Sequence, residues 1–354
     1  MRMWRKRLLL SGAVLLALFA AGELFARFVL GLGDPPLSQT HPRIEYLFKP
    51  GQDLRRFDNR VFINAYGMRS PEFPQEKAAG ELRVLVFGDS VLNGGNLSDQ
   101  PELATSLLAE RLKEVHGEPV IVGNVSAGSW GPGNWLGYVQ TYGLFDADAI
   151  VLLASSHDIG DNPQHRPLNP QTHPQRRPVS ALVEGVTRYL PRYLPRLSVG
   201  EEHPPARADE SPGARAEAVA RGSEDLQAFL TLAVAQAPTI VLQHPERSEL
   251  GDEAKPGRAL IAQIAAKAGV DQRLLDPYLE SATAQGTDPY RDNIHINAVG
   301  QRALADALFD ALVEMGVVPA VSVNQVRGTK AISGCGKGCG RQLGFLTWRA
   351  EIGS

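Results

Sequence analysis

The sequence has few cysteines and no strong excess of charge. Its 354 residues include two cysteines and carry a formal net charge of −3. A disulfide framework needs more cysteines, and a nucleic-acid-binding surface is usually strongly basic, so both classes of protein are excluded. Cys335 and Cys339 lie in a glycine-rich stretch without a neighbouring histidine, which predicts no zinc site. A small local disulfide and two free thiols both remain open for this pair.

Motifs for nucleotides and metals are also missing. The chain contains neither a P-loop nor a G-x-G-x-x-G after a predicted strand, and no cluster of metal ligands at a recognisable spacing. We therefore expect no cofactor and no metal.

The N-terminus carries a basic cluster followed by a long apolar run over residues 8–21, with a weaker apolar stretch to residue 32. The run is long enough for a signal-peptide core and, together with residues 24–32, for a membrane-spanning helix. Basic residues before an apolar run predict an N-terminus in the cytoplasm and an exported remainder. We favour an uncleaved anchor over residues 1–32 in the inner membrane, with the catalytic domain in the periplasm. A cleaved signal and a buried helix are the alternatives.

The rest of the chain divides into segments of different composition. Residues 33–80 are rich in proline and turn residues and predict an irregular stalk, with one short hairpin as an option. Residues 81–317 predict one domain, interrupted at about 160–222 by a proline- and arginine-rich insertion. Residues 318–354 predict a peripheral, flexible tail.

Within the domain, short β-branched runs alternate with helical patterns. Strands are predicted at 82–87, 119–125, 149–154, 239–243 and 272–275, with amphipathic helices between them and at 299–315. This alternation predicts an α/β fold in which helices cover both faces of a parallel sheet.

A serine follows the first predicted strand, in the tripeptide Gly88-Asp89-Ser90. Active sites of open parallel sheets lie at the carboxyl ends of the strands, so Ser90 is a candidate nucleophile. The alternative is that Asp89 or Ser90 simply caps the next helix.

A second motif, Asp292-Asn293-Ile294-His295, precedes the last predicted helix. A serine hydroxyl needs a base to take its proton and a carboxylate to orient that base. One turn carrying both Asp292 and His295 supplies these groups in the order Ser, Asp, His that other α/β hydrolases use. The alternative is a surface histidine beside a turn aspartate.

With both motifs present, the sequence resembles the SGNH, or GDSL-type, hydrolase family over residues 82–316, apart from the insertion. The resemblance implies a three-layer α/β sandwich around a mostly parallel, five-stranded, flavodoxin-like sheet. It also implies that Ser90 is the nucleophile, that His295 is the base and that Asp292 orients it, with the Ser90 backbone N–H in the oxyanion hole.

The two middle blocks of the family match less closely. After Asn124, counting by the family spacing puts Ser129 at the position of an oxyanion-hole glycine, with Gly131 alongside. In the third block, His157 stands where the family has an asparagine, and its ring N–H could donate to the oxyanion. The alternatives are a purely structural His157, or Asn162 as its substitute.

These features predict a serine hydrolase that acts on ester bonds at the cell envelope. The same residues would serve an O-acetyltransferase that acts on an envelope or exported polysaccharide. A non-catalytic, glycan-binding or scaffold protein of the same fold is a second alternative. The expected partners are an ester-bearing substrate, with acetylated polysaccharide as one candidate, and the membrane through the N-terminal helix.

Overall fold

The computed structural model describes residues 2–117, 119–190, 211–251 and 254–319. Of the tail predicted over 318–354, residues 320–354 lie outside these ranges, and they include Cys335 and Cys339.

The strands of the described ranges form two hairpins and one central sheet. The hairpins pair β1 with β2 and β3 with β4, both antiparallel. The central sheet has the order β6-β5-β7-β8-β9 and every neighbouring pair is parallel. The strands are β1 (Ser38–Thr40), β2 (Tyr46–Phe48), β3 (Gln52–Arg56), β4 (Asn59–Ile63), β5 (Leu82–Gly88), β6 (Val120–Ser126), β7 (Ala149–Ser155), β8 (Thr239–His244) and β9 (Asp271–Leu274).

Helices connect the parallel strands. In the described ranges they are α1 (Arg2–Phe28), α2 (Ser90–Asn93), α3 (Ala104–His116), α4 (Pro132–Tyr142), α5 (Ala181–Glu184), α6 (Pro212–Gln236), α7 (Pro256–Lys267), α8 (Asp276–Ala284) and α9 (Ala298–Glu314). A π-helical turn, Gly185–Tyr189, continues α5.

The core lies on both faces of the central sheet. Because successive side chains of a strand point to opposite faces, Leu85 and Phe87 pack with α4, α6 and α7, whereas Val84 and Val86 pack with α3 and α9. All seven residues of β5 are buried. The predicted three-layer α/β sandwich with a five-stranded parallel sheet is therefore confirmed.

Residues 33–80 differ from the irregular stalk that their composition predicts. They carry both hairpins, and side chains from this segment, including Ile44, Leu47 and Met68, are fully buried in the same core as Phe87. The strands have only three to five residues, so no periodic pattern is long enough to stand out from the turn residues between them.

The insertion also ends earlier than predicted. Helix α6 begins at Pro212, and the Ser211 hydroxyl caps it by accepting a hydrogen bond from the Ala214 N–H at 3.3 Å. The predicted boundary at 222 is therefore inside a helix whose first turns are mostly exposed and lack a clear apolar face. Residues 191–210 lie outside the described ranges.

Helix α1 is long and apolar enough over Met3–Phe28 to cross a membrane, a property that signal sequences share. Most of its side chains face outward, and Ala26 in its last turn packs with Leu32 and Ala181.

Candidate active site

The structure joins Ser90, His295 and Asp292 in one chain of hydrogen bonds. The Ser90 Oγ lies 2.9 Å from His295 Nε2, and His295 Nδ1 lies 2.8 Å from Asp292 Oδ2. Ser90 begins α2 immediately after β5, whereas the other two residues lie in the turn before α9. The fold thus brings together groups that are 205 positions apart in sequence.

Asp292, the carboxylate of this hydrogen-bonded series, is held in its charged form. Burial raises the pKa of Asp292, but the N–H groups of His295 and Ile294 donate to it and, with the imidazole, bring the pKa below its usual value. These two bonds to Asp292 Oδ1 measure 2.7 and 2.8 Å. An ionised Asp292 accepts a hydrogen bond from the N–H of His295 Nδ1. In this tautomer Nε2 carries a lone pair, which points towards the Ser90 hydroxyl.

The serine is presented by a short, well-anchored helix. The Asp89 carboxylate caps α2 by accepting the Val91 N–H at 2.9 Å, and Gly94 ends it with a φ of +73°. The indole N–H of Trp135 donates to the Gly88 carbonyl at 3.0 Å, which fixes the end of β5 from α4. A side chain at Gly88 would place its Cβ 2.9 Å from Leu92, so the approach of α2 to the strand requires glycine.

The loop that carries Asp292 and His295 is closed by its own backbone. The Arg291 N–H donates to the His295 carbonyl at 2.8 Å, and Tyr290 forms a bridge with Ile296. The Asn297 side chain caps α9 by accepting hydrogen bonds from the N–H groups of Val299 and Gly300. This turn fixes both catalytic candidates relative to a long helix that packs on the sheet.

A cavity of about 370 Å³ opens beside this hydrogen-bonded chain. Its walls come from α2 and the following loop, both hairpins, the turn after β6, the insertion and the turn before α9. They combine aromatic rings with two guanidinium groups. The lining residues include Tyr46, Phe48, Phe57, Ser90, Gly128, His173, Arg188, Tyr189, Arg291, Asp292 and His295.

The cavity carries more positive than negative charge. Among the lining residues of the described ranges there are two arginines, Arg188 and Arg291, and one carboxylate, Asp292. Burial, followed by the charge of Arg188, lowers the pKa of His173, so this imidazole is neutral near pH 7. Arg291 donates to the Gly94 carbonyl at 3.4 Å and makes no ion pair within 4 Å in the part of the chain that the structure describes. Arg188 shares its charge with Glu184 at 3.5 Å, so Arg291 is the cation of this wall that can meet an anionic group.

The turn after β6 differs from the predicted oxyanion arrangement. Gly128 lines the cavity, and its carbonyl accepts the Tyr46 hydroxyl at 2.7 Å. Ser129 is exposed and adopts a φ of +56°, and it does not line the cavity. Gly131 packs against the turn after β7, where an added Cβ would lie 2.2 Å from the Asp161 carbonyl. The left-handed backbone of Ser129 is a conformation that glycine favours, so the assignment of Ser129 and Gly131 as oxyanion donors stays a prediction.

His157 does not line the cavity either. Its ring lies among carboxylates, with Nε2 at 3.3 Å from Asp158 and 3.6 Å from Asp89, and Nδ1 at 3.4 Å from Glu246. Burial opposes the charged imidazole, but these three carboxylates outweigh it and raise the pKa of His157 to about 9. The same contact lowers the pKa of Asp89 in spite of its burial. His157 is thus an internal cation next to the helix cap of Ser90.

Asn162, the other oxyanion candidate, is engaged elsewhere. Its amide donates to the carbonyls of Ala218 at 2.6 Å and of Gly160 at 3.3 Å, and so ties the turn after β7 to α6.

The cluster of Asp89, His157 and Asp158 has the geometry of a cation site, since one ligand atom from each lies within 4.8 Å of the others. To ligate a metal, His157 would have to give up its proton, and the pKa of about 9 opposes this loss near neutral pH. The imidazolium itself supplies the positive charge that these carboxylates need.

Several residues of the cavity escape sequence reasoning. Tyr46 and Phe57 lie in a segment that predicts a stalk, and Tyr189 lies in an insertion without clear periodicity. Only Arg291 gives a signal, because it directly precedes the D-x-x-H motif.

No protein-family model and no curated protein matches the sequence. Solved structures with a similar arrangement include a member of the lipolytic G-D-S-L family from Veillonella parvula, at 14% identity and a TM-score of 0.39 over 66% of this chain and 97% of that one. An acetyl xylan esterase, AlAXEase, has 15% identity and a TM-score of 0.41 over 65% and 100%. Axe2, an acetylxylan esterase from Geobacillus stearothermophilus, has 14% identity and a TM-score of 0.40 over 66% and 94%. At this level of likeness, the chemistry has to be argued from the residues of this chain.

Proposed function

We propose that the protein is a serine hydrolase of ester bonds in which Ser90, His295 and Asp292 form the catalytic triad. The observation that carries the proposal is the continuous hydrogen-bonded chain from Ser90 Oγ through His295 to an ionised Asp292, at the edge of an accessible cavity. A helix cap alone would account for Ser90 or Asp89, but not for the histidine and carboxylate that meet the serine from the other end of the chain.

The geometry supports a two-step acyl transfer. Ser90 Oγ attacks the ester carbonyl while its proton passes to His295 Nε2, and Asp292 stabilises the imidazolium. The imidazolium then gives this proton to the leaving alkoxide, which departs as the alcohol. In the second step His295 takes a proton from the water that attacks the acyl–Ser90 ester. The imidazolium then returns this proton to Ser90 Oγ as the acyl–oxygen bond breaks, which releases the acid and restores the serine and the neutral histidine.

The oxyanion needs hydrogen-bond donors at the same place. Ser90 is the first residue of α2, so its backbone N–H has no acceptor within that helix. Gly128 is the residue of the turn after β6 that lines the cavity. We assign the backbone N–H groups of Ser90 and Gly128 as the donors, in place of Ser129, Gly131 and His157.

Transfer of the acyl group to a sugar is a second candidate, favoured by the walls of the cavity. The half-buried rings of Phe48, Phe57 and Tyr189 offer apolar surface on which sugar rings stack. A sugar hydroxyl would then replace water in the second step. Envelope polysaccharides are a suitable substrate class if α1 anchors the chain in the inner membrane with this domain in the periplasm, as we also propose.

The test is turnover of p-nitrophenyl acetate by the full chain in a mild detergent, for wild type, Ser90→Ala and the matched control Ser129→Ala. We expect Ser90→Ala to lose about 10⁴-fold or more in kcat, as the loss of a triad nucleophile does, and Ser129→Ala to keep its activity. A Ser90→Ala variant that turns over normally would refute the triad. A folded wild type that hydrolyses no ester would instead favour a glycan-binding role. Formation of an acetylated oligosaccharide when oligosaccharide is added to the assay would identify a transferase.

A further inference from the structure

The end of helix α1 caps the helix of the insertion. The Glu23 carboxylate accepts the Ser180 hydroxyl at 2.7 Å and the N–H groups of Ala181 and Leu182 at 3.0 and 2.9 Å. These N–H groups belong to the first turn of α5 and have no acceptor within their own helix. One turn of α1 further on, Arg27 donates to the same carboxylate at 2.7 Å. The two helices are therefore locked together by a fully hydrogen-bonded acid.

A buried ion pair extends this lock to the hairpin β3–β4. Arg56 and Glu184, with side chains 0% and 5% exposed, lie 2.8 Å apart. The backbone N–H of Gly33, just after α1, donates to Glu184 at 2.5 Å, and Arg56 donates to the Tyr189 hydroxyl at 2.8 Å. Removing one partner of a buried pair is costly, so α1, the hairpin and the insertion are held as one unit.

The depth of this unit follows from the length of α1. The basic cluster ends at Arg7, and about 20 residues at 1.5 Å each cross the 30 Å hydrocarbon layer. If residue 8 enters the layer, Glu23 lies about 22 Å further along the helix, so its contact with α5 is within about 8 Å of the outer boundary, the depth of an interfacial helix. Gly22 touches Leu182, because a Cβ placed on Gly22 would lie 3.3 Å from it. Helix α5 therefore lies at the outer boundary of the bilayer that α1 crosses.

The outward surface of the unit has the chemistry of that boundary. Val183, Val186 and Leu190 lie in α5, in the π-helical turn that continues it and at the end of that turn, and they are 51%, 49% and 41% exposed. These three side chains form an exposed apolar face of the insertion. Val179 next to this face is fully exposed. At the end of α1 and just after it, Phe25, Phe28 and Val29 are also more than half exposed. Both of the helices that meet at Gly22 and Leu182 therefore carry exposed apolar side chains.

We propose that the insertion face formed by Val179, Val183, Val186 and Leu190 docks into the interfacial layer of the membrane that α1 enters. The same turn of chain bears Arg188 and Tyr189, which line the cavity beside Ser90. Docking therefore holds the cavity at the lipid–water boundary, where an ester carried by a membrane-bound molecule comes within reach. This last consequence rests on the proposed hydrolase function, whereas the docking does not.

The experiment measures depth directly in the full chain. In a background of Cys335→Ser and Cys339→Ser, single cysteines at positions 183 and 186 are labelled with the polarity-sensitive fluorophore NBD. The protein is reconstituted in vesicles of phosphatidylcholine and phosphatidylglycerol with or without lipids that carry a nitroxide quencher. Two labelled positions guard against a single label that disturbs the fold.

Two further labels are matched controls: Leu15→Cys in α1 reports the anchor, and Leu274→Cys, an exposed leucine on the edge strand β9, reports a surface away from α1. We expect emission at 183 and 186 to shift to shorter wavelength and to be quenched by nitroxide near the headgroup. Leu15→Cys should be quenched by a deep nitroxide, and Leu274→Cys by neither.

The docking would be overturned, and the anchor left intact, if the Leu15→Cys label were quenched while the labels at positions 183 and 186 showed the same emission and lack of quenching as the label at position 274. An unquenched Leu15→Cys label would overturn both. Neither result depends on ester turnover, so a failure of the proposed hydrolase function is a separate finding.

Discussion

The charge on His157 makes the stability of the fold depend on pH, in a direction that the structure determines. The folded protein raises the pKa of this imidazole from 6.5 to about 9, since Asp158, Asp89 and Glu246 outweigh its burial. A group whose pKa rises on folding contributes stability that is complete below its unfolded pKa of about 6.5 and is lost as the pH rises through about 9. At about 1.4 kcal/mol per pKa unit, the difference corresponds to ~3 kcal/mol of unfolding free energy.

Solvent reduces this figure. The His157 side chain is 30% exposed, and Lys255 already pairs with Glu246 from the next helix. The neighbouring His244 does not add to the effect, because burial lowers its pKa to about 4 and keeps it neutral over the whole range. We therefore expect a contribution of about 2 kcal/mol that disappears between pH 7 and 10.

The assay compares urea unfolding of wild type and His157→Gln at pH 6, 8 and 10, with the full chain in a non-ionic detergent. Because all other titrating groups are common to both proteins, their difference in unfolding free energy isolates His157. We expect a difference that is largest at pH 6 and shrinks by about 2 kcal/mol at pH 10. His116→Gln, a substitution at an exposed histidine, should show no such trend. A difference between wild type and His157→Gln that stays constant from pH 6 to 10 would refute the reasoning.

Three further predictions concern the walls of the cavity and its supports. Gly131→Ala should lower the unfolding free energy by about 2–4 kcal/mol, because its Cβ would lie 2.2 Å from a carbonyl oxygen, whereas Ser129→Ala on the exposed neighbour should change it little; urea unfolding measures both. Arg291→Gln should raise KM for p-nitrophenyl hemisuccinate, an anionic ester, about tenfold or more, and should leave KM for the neutral p-nitrophenyl acetate nearly unchanged. Arg302→Gln, a substitution at an exposed arginine, is the control. Equal effects of Arg291→Gln on both esters would contradict an anion-binding role. Tyr46→Phe should lower kcat about tenfold with little change in KM, because the hydroxyl holds the turn that we assign to the oxyanion hole; an unchanged kcat would argue against that assignment.

The sheet could be predicted because each of its strands is a short, apolar run at a regular place between helices. The strands predicted at 82–87 and 149–154 differ from β5 and β7 by one residue at the end. Ser90 and the pair Asp292 and His295 could be found for a related reason, since both motifs sit directly after or before elements with strong periodicity.

The remainder of the site depends on contacts that leave no local pattern. Tyr46 enters the cavity from a three-residue strand, and Tyr189 enters from an insertion that is fixed by Arg56 and Glu184, 128 positions apart. The positive φ of Ser129 is a property of the folded turn, so the choice among the N–H groups of this turn as oxyanion donors does not follow from sequence spacing. His157 occupies the family position of an asparagine, but its partners come from three separate loops, so its role as an internal cation follows only from the fold.

The central claim is that Ser90 is a nucleophile activated by His295, and covalent labelling tests it most directly. The full chain is treated with a fluorophosphonate, digested and analysed by mass spectrometry, alongside Ser90→Ala and His295→Gln. The account predicts a phosphonyl adduct on the peptide that contains Ser90, none in Ser90→Ala, and labelling slowed by about 10³-fold or more in His295→Gln. An adduct on another serine, or labelling of Ser90 at the same rate without His295, would contradict it.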